Sequence, residues 1–256
     1  MVPQARKGST GRSTVDRVAA ALEVVADRGW VTAAELGAAM AVDRSTGWRL
    51  ARSLERVGWL QHDPVSGRYR LGVPLFELGI RVLDTIDFRD EARSVMTDLV
   101  ATTGESADLA IRDGESVVFI DKLDGTHDVR AFTRSGQRAR LHAAAAGKVF
   151  LAAMTDDELA TYLAAPLPAV TPATVTDPDR LRDIVQEARR RGWASNRGEL
   201  FPEAGALAVP ILDARGVCIA ALGLNIPLSR FSEDRVPRLV AELEAGAARL
   251  AVHGGA

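Results

Sequence analysis

Four polar side chains, Ser45, Arg49, Arg52 and Arg56, recur along the chain at intervals of four, three and four residues. This spacing places all four on one face of a helix. Guanidinium and hydroxyl groups are the groups with which proteins contact the phosphate oxygens and base edges of DNA. A solvated basic face produces the same pattern, so the stripe alone leaves two interpretations open: a helix that reads DNA and an ordinary surface helix.

The other side of the same segment is apolar. Asp43 is a suitable N-cap and Gly58 a suitable residue to end the helix. Gly47 costs about 1 kcal/mol in mid-helix relative to alanine, and close packing against the preceding helix would explain its presence. A buried stripe is predicted at the spacing four, four and three: Thr46, Leu50, Leu54 and Val57.

The elements around this helix decide between the two interpretations. A first helix is predicted from Ser13 to a stop at Gly29, and a second helix opens with the capping-box pair Thr32 and Glu35. The predicted inner face of the first helix is Val15, Val18, Ala19, Leu22 and Val25. Two helices joined by a tight turn, with a third before them, match the arrangement in which the second helix of the pair enters the major groove.

A hairpin follows the third helix. The segment "WLQHDPVSGRYRLG" contains a turn between two short strands, and in the second strand Arg68 and Arg70 alternate with Tyr69 and Leu71. Two outward arginines would form a wing that contacts phosphates, which completes a winged helix-turn-helix. We therefore interpret the helix between Asp43 and Gly58 as a recognition helix. A winged helix used only for protein contacts is the alternative.

Composition and charge fit this interpretation. The first 70 residues hold 11 lysines and arginines against 7 acidic residues, whereas the other 186 hold 21 against 27. A polyanionic partner is therefore expected to meet the N-terminal part. One cysteine excludes an internal disulfide, and neither a signal peptide nor an apolar run of about 18 residues is visible. We expect a cytoplasmic protein that does not enter the membrane.

The rest of the chain predicts a linker and a second domain. An apolar-periodic helix over 73–88 carries Leu75, Leu78, Val82 and Ile86, a longer stripe than a small domain needs, so packing on another subunit is one interpretation and an internal core the other. Helices then alternate with antiparallel hairpins, which predicts an α+β domain. Within it, "DVRAFT" (128–133) is predicted as a strand, and the closing helix is predicted to start after a Ser232 cap.

The domain boundaries follow from these patterns. We predict a flexible basic arm over 1–12, a winged helix-turn-helix over 13–72, a linker helix over 73–89 and the α+β domain over 90–256.

Catalytic, metal-binding and cofactor-binding patterns are not found. The four histidines, His62, His127, His142 and His253, lack metal-ligand spacing, and Gly147-Lys148 lacks the remainder of a phosphate-binding loop. Cys218 lies in an apolar stretch and is most simply a core residue. We predict no catalytic residue, no metal site and no cofactor.

In order and spacing, several motifs resemble the IclR family of bacterial transcription regulators from about residue 13 to residue 246. They are "STVDR", "AEL", "RSTGWRL", "GRYRLG" and "LFELG" in the N-terminal part, and "GQRARLHAAAAGKVFLA", "RRRGWASNRGE", "AVPILDARG" and "AALGLNIPLSR" in the C-terminal part. The resemblance implies a DNA-binding domain, a linker that dimerises, and a GAF-like α+β domain that binds a small-molecule effector. It also implies a homodimer or a dimer of dimers that binds a double-stranded DNA operator, more often as a repressor than as an activator.

The resemblance also implies site residues. Ser45, Thr46 and Arg49 match the family's recognition-helix positions; Arg44, Trp48 and Arg52 lie on the same side, and Arg68 and Arg70 belong to the wing. Trp48 would contact a thymine methyl group or cover the edge of the core. His142 is interpreted as a structural hydrogen-bonding residue rather than a ligand contact. The DNA-binding set is therefore Arg44, Ser45, Thr46, Trp48, Arg49, Arg52, Arg68 and Arg70.

The effector pocket implied by the resemblance begins at Ala145 and Ala146, whose backbone N–H groups at a helix N-terminus suit an anion. The positions that line the pocket in other members are occupied here by Asn196, Ala206, Gly223 and Asn225. Several members carry an acid, a cysteine or hydroxyls there. We therefore expect a roomier, less polar cavity that suits an aromatic or larger organic acid. An enzymatic or protein-interaction C-terminal domain with a winged helix that does not read DNA is the alternative.

Overall fold

The computed structural model describes residues 13–83, 88–130 and 133–250, and it divides the chain into two compact units, Met1–Thr85 (unit 1) and Ile86–Ala256 (unit 2). The predicted arm over 1–12, Ile86 and His253 lie outside the described residues.

The described part of unit 1 is a winged helix-turn-helix with one further helix. Its elements are α1 (Thr14–Arg28), β1 (Val31–Thr32), α2 (Ala33–Ala39), α3 (Arg44–Arg56), β2 (Leu60–Asp63), β3 (Arg68–Leu71) and α4 (Val73–Leu83). The strands form an antiparallel sheet in the order β1-β3-β2. Strand β1 was not predicted, because two residues are too few to show an alternating pattern.

The predicted helix ends of unit 1 are confirmed. Asp43 accepts a hydrogen bond from the backbone of Thr46 at the start of α3, and Thr32 and Glu35 form a capping box on α2. Gly58 follows α3 with a positive φ of 76° and donates its N–H to Glu55. Local side-chain chemistry therefore sets where these helices begin and end.

The predicted buried stripes of unit 1 are partly wrong. In α3 the buried residues are Gly47, Ala51 and Leu54, while Val57 is 53% exposed at the C-cap, where the chain leaves the helix. In α1 the buried residues are Ala21 and Val25. Val15 and Ala19, which were predicted on the inner face, are exposed. Val18, Ala20 and Leu22 pack against the core, so Ala19 faces away from a core that its own turn contacts.

Unit 2 is an α+β domain with a fully antiparallel sheet, which confirms the predicted fold class. Its described elements are α5 (Arg89–Thr103), β4 (Ser106–Asp113), β5 (Ser116–Leu123), β6 (Arg138–Arg140), a 3-10 turn (Leu141–Ala143), α6 (Ala145–Ala153), α7 (Asp156–Ala164), α8 (Pro178–Arg191), β7 (Ala194–Arg197), β8 (Ala204–Leu212), β9 (Cys218–Pro227) and α9 (Val236–Leu250). The strand order is β6-β5-β4-β9-β8-β7.

Two predicted elements of unit 2 are wrong. Residues 128–130 and Thr133 are not in a strand, and the edge strand is β6 further along the chain. The closing helix α9 begins at Val236 rather than directly after Ser232, because residues 233–235 form a turn in which Arg235 N–H donates to the Ser232 carbonyl.

The sheet register aligns residues that are far apart in sequence. Asp108 on β4 lies opposite Gly223 on β9, and Gly223 lies opposite Ala208 on β8. In the next row, Asn225 on β9 lies opposite Ala206 on β8, which lies opposite Asn196 on β7. Because side chains alternate between the two faces of a strand, the side chains of these two rows share one face. This face contacts α6, as Ala208 and Ala145 belong to the same core cluster.

Candidate nucleic-acid interface and ligand cavity

The face of α3 predicted to meet DNA is exposed in unit 1. Arg44, Ser45, Arg49 and Arg52 are exposed, and Thr46 is half-buried. Trp48 is 54% exposed, and the Arg52 guanidinium lies 6.0 Å from the centroid of its ring. The opposite face of α3 packs into the core of unit 1. Unit 1 therefore presents guanidinium and hydroxyl groups outward on a helix that its own core holds in place.

The hydroxyls at the start of α3 are held by the N-cap. Ser45 Oγ donates to Asp43 at 2.5 Å, and Thr46 Oγ1 donates to the same carboxylate at 2.7 Å. These hydrogen bonds hold the pKa of Asp43 far below its ordinary range. Arg49 Nη2 donates to Thr46 Oγ1 at 3.1 Å. In this arrangement both hydroxyls donate their hydrogen bonds to Asp43, so their oxygens can only accept further hydrogen bonds.

One acidic residue on this surface was missed from the sequence. Glu55 accepts a hydrogen bond from Arg52 Nη1 at 2.8 Å. The pair is at i and i+3 on an accessible helix face, where an ion pair is worth about 0–1 kcal/mol. Arg52 can therefore exchange Glu55 for a phosphate at small cost. The signal was present in the sequence, since Glu55 follows Arg52 by three residues.

Gly47 allows α3 to approach α2 closely, as predicted. A Cβ atom at Gly47 would lie 2.8 Å from the carbonyl oxygen of Ala33 and 2.9 Å from Gly37 Cα. Both are backbone atoms, so no side chain can move aside to make room. The glycine therefore fixes the distance between the two helices of the helix-turn-helix.

The wing carries its two arginines on exposed positions. Arg68 Nη1 donates to the Trp30 carbonyl at 3.1 Å. Arg70 Nε donates to Gln61 Oε1 at 2.9 Å and its guanidinium lies 5.0 Å from the Trp30 ring centroid. Tyr69 between them is buried. The alternation predicted for this strand is confirmed for Tyr69, whereas Leu71 is exposed.

The residues predicted for the effector pocket are brought together in unit 2. A small cavity lies between the N-terminus of α6 and the sheet rows described above. Its lining includes all six predicted residues, Ala145, Ala146, Asn196, Ala206, Gly223 and Asn225, together with Asp108, Phe119, Ala144, Leu200, Leu207 and Ala208. The cavity encloses about 10 Å³, roughly the space that one water molecule needs.

Asp108 is the residue that sequence reasoning missed. It is 2% exposed, accepts a hydrogen bond from Asn225 Nδ2 at 2.5 Å, and is also hydrogen-bonded by the Thr133 side chain. Burial raises its pKa to about 6, although both hydrogen bonds act in the opposite direction. The signal in the sequence was an aspartate inside the apolar strand "SADLAI", whose significance depends on the pairing of β4 with β9.

The expectation of a roomier and less polar cavity is wrong for this structure. A Cβ atom at Gly223 would lie 2.5 Å from Asp108 Oδ1. The space left by the missing side chain at position 223 is therefore filled by the carboxylate from the neighbouring strand. The cavity wall remains polar, with Asp108, Asn196 and Asn225 buried on it.

His142 is a structural residue here and does not line this cavity. Its Nε2 lies 3.0 Å from the Pro168 carbonyl, so this nitrogen carries the proton and donates it. Its Nδ1 then accepts from the Tyr162 hydroxyl at 2.9 Å. Burial lowers the pKa of His142, which fits this neutral form.

A larger groove of about 530 Å³ lies at the other end of α6 and includes Cys218 and Trp193. Burial raises the pKa of the Cys218 thiol to about 12, which makes the thiolate scarce at neutral pH. The Arg189 guanidinium in this groove donates to the carbonyls of Ala152 and Met154 and to Asp156. Its charge is therefore already engaged by the protein, and the smaller cavity is the better candidate for a polar ligand.

Comparisons with known proteins agree with this architecture. The family model described as "Bacterial transcriptional regulator IclR C-terminal" matches residues 80–252. The HTH-type transcriptional regulator KdgR of Escherichia coli is 30% identical over 95% of this chain and 93% of its own length. No helix in the described part of the chain is long and apolar enough to cross a membrane.

Two crystal structures are similar over nearly the whole chain. An IclR transcriptional regulator from Alicyclobacillus acidocaldarius has a TM-score of 0.82 and 29% identity, covering 96% of this chain and 100% of its own. An IclR homolog from Microbacterium hydrocarbonoxydans, complexed with 4-hydroxybenzoate, has a TM-score of 0.81 and 32% identity, covering 94% and 98%.

A winged helix-turn-helix unit and an α+β unit in one chain define the class of DNA-binding transcriptional regulators that carry an effector-binding domain. The chain belongs to the IclR family of bacterial transcriptional regulators. The relatives are named as regulators, which agrees with the prediction of a regulator rather than an enzyme.

Proposed function

We propose that this protein is a repressor that binds an operator near its own gene through α3 and the wing, and that an organic acid bound in unit 2 controls this binding. In this proposal residues 13–72 bind DNA, 73–89 link the domains and pair the subunits, and 90–256 bind the effector. A repressor acts where the chromosome is, so we propose a cytoplasmic location.

The exposed basic face of α3 is the observation that carries the DNA-binding part. Arg49 and Arg52 lie at the spacing of one helical turn on that face. Arg44 and the wing residues Arg68 and Arg70 add positive charge. Arginine can pair with guanine through two hydrogen bonds or hold a phosphate, and only the base contact distinguishes sequences.

An electrophoretic mobility shift with the DNA upstream of the gene tests this part. We expect binding that weakens steeply with salt, because each neutralised phosphate contributes a slope of about −0.9 in log affinity against log salt. The variant Arg49→Ala, Arg52→Ala should lose this binding. A matched control removes two arginines from α8, the partly exposed Arg182 and the exposed Arg190, as Arg182→Ala with Arg190→Ala. Unchanged binding in the α3 variant would contradict the assignment of α3.

The small cavity supports the effector part of the proposal. The backbone N–H groups of Ala145 and Ala146 begin α6 beside it, where the helix dipole favours an anion. The similar protein from Microbacterium hydrocarbonoxydans was crystallised with 4-hydroxybenzoate, an aromatic acid. An aromatic acid needs more room than the cavity offers. Leu200 is the large lining side chain outside helices and strands, so its movement is the simplest way to enlarge the cavity.

A thermal-shift screen of the full chain with aromatic and small aliphatic acids tests the effector class. We expect stabilisation by aromatic acids, and a stabilised protein that releases its operator in the mobility-shift assay. Stabilisation by glyoxylate-sized acids alone would contradict the proposal of a larger acid. A reporter under the operator, measured with and without the stabilising acid, distinguishes repression from activation.

Helix α4 supports a dimer. Val73, Phe76 and Leu78 are exposed on it, Phe76 at 67%. A helix with apolar residues around most of its surface normally has a partner. We propose that α4 pairs two subunits, as a homodimer or within a dimer of dimers. Sedimentation of the full chain should show at least a dimer, and Phe76→Glu should shift the population towards monomer; a wild-type chain that is monomeric at micromolar concentration would contradict this.

A further inference from the structure

Asp108 holds a buried carboxylate on the wall of the cavity, in a position that nothing in the sequence motifs assigned. It lies on β4, one of the two central strands of the sheet, which pairs with β5 and β9. The carboxylate is fixed by Asn225 Nδ2 at 2.5 Å and by the Thr133 hydroxyl. Gly223, opposite Asp108 on β9, leaves the space that the carboxylate occupies.

The hydrogen-bonding capacity of this carboxylate is not used up by the described residues. An ionised carboxylate has about four acceptor sites, and within the described part of the chain Asn225 and Thr133 donate to it. A buried carboxylate beside a cavity favours a ligand that presents a hydrogen-bond donor. It disfavours a ligand that places an apolar edge or a second negative charge there.

We propose that Asp108 is a specificity-determining residue of the effector site, which accepts a hydrogen bond from a hydroxyl group of the effector and thereby selects hydroxylated acids over their unhydroxylated counterparts. The inference rests on the proposed effector cavity and names which acids that cavity accepts. Gly223 and Asp108 act together in this cavity. The absence of a side chain at Gly223 leaves room for the Asp108 carboxylate, and the carboxylate supplies the polar group that a side chain at position 223 would otherwise supply.

The test compares 4-hydroxybenzoate with benzoate as probes, by calorimetric titration of the full chain. The two acids differ only by the hydroxyl. We expect the wild-type chain to prefer 4-hydroxybenzoate by about tenfold or more, because a hydrogen bond to a charged group is worth about one to two factors of ten in affinity. In Asp108→Asn the preference should fall below about threefold, since the amide loses the charge.

Two further variants test whether a change in the preference for 4-hydroxybenzoate is caused by Asp108. Thr133→Val removes one donor that positions the carboxylate and should reduce the preference for 4-hydroxybenzoate over benzoate. Asp113→Asn, on an exposed position at the end of the same strand, is the matched control and should keep the wild-type preference.

The possible outcomes separate this inference from the proposed function. If both acids bind the wild-type chain equally and Asp108→Asn changes neither affinity, the cavity stands as an aromatic-acid site and the role of Asp108 is refuted. If neither acid binds and no other aromatic acid stabilises the chain, the proposed effector class fails, and the inference about its hydroxyl group fails with it.

Discussion

Replacing the buried carboxylate by its neutral isostere should stabilise the ligand-free protein. Folding raises the pKa of Asp108 from the ordinary value of 3.8 to about 6, with burial as the main cause. The folded chain therefore holds this proton more tightly than the unfolded chain does. Protonation of this carboxyl group therefore stabilises the folded chain fully below pH 4. This contribution is lost as the pH rises towards 6, and it stays lost above pH 6. The cost at pH 7.5 is about 3 kcal/mol.

Asp108→Asn removes this titration. We expect the variant to be more stable than the wild type by up to about 3 kcal/mol at pH 7.5 and by about half of that at pH 5. Urea unfolding followed by hydrogen–deuterium exchange of peptides from β8 and β9 reads the stability of unit 2 separately from that of unit 1. Asp183→Asn, at an exposed position on α8, controls for the loss of one negative charge. A less stable Asp108→Asn at pH 7.5, or an advantage that does not shrink at pH 5, would refute the reasoning.

Three further substitutions test the packing and charge around the two sites. Glu55→Gln should raise operator affinity by up to about fivefold, because it frees Arg52 and removes a negative charge near the phosphates; weaker binding in a filter-binding titration would count against this geometry. Gly47→Ala should destabilise unit 1 by about 1–3 kcal/mol, because its Cβ meets backbone of α2; a thermal midpoint of unit 1 equal to wild type would show that the helices can separate freely. Gly223→Ala should destabilise the wild-type chain but should have almost no effect when it is added to Asp108→Ala. A double-mutant cycle should therefore give a coupling free energy of about 1–2 kcal/mol; additive effects would mean that the two side chains do not compete for the same space.

The N-terminal fold was predictable because its determinants are local. Capping residues such as Asp43 and Thr32 lie within three or four residues of the groups that they bind. The apolar periodicity of a helix can be recognised from two turns of sequence. The errors occurred where a stripe runs past the core: Val57 and Val15 have the correct spacing, but none of the described elements covers them. Periodicity indicates which residues share a face, and only packing decides how far along the helix that face is buried.

In unit 2 the sequence predicted six residues that line one cavity, but it did not predict Asp108 among them. The six residues implied by the family resemblance do line one cavity, because motif spacing carries over between related chains. Asp108 could not be assigned in this way, since its role depends on a pairing with Gly223 across 115 positions of sequence. An alternating strand pattern gives the face of each residue but not the identity of its partner on the next strand.

The Asp108–Gly223 pair also explains why counting the side chains at pocket positions misjudged the cavity. The positions with small residues are Ala206 and Gly223, and at Gly223 the volume is taken by Asp108 from the adjacent strand rather than left for the ligand. A buried charged carboxylate is costly to the folded chain, because burial removes it from water. A ligand hydroxyl that hydrogen-bonds to it recovers part of that cost only in the bound state. Such a residue lowers the stability of the free protein and raises the affinity for the right ligand through the same carboxylate. We therefore expect stability and ligand selectivity to change in opposite directions at position 108.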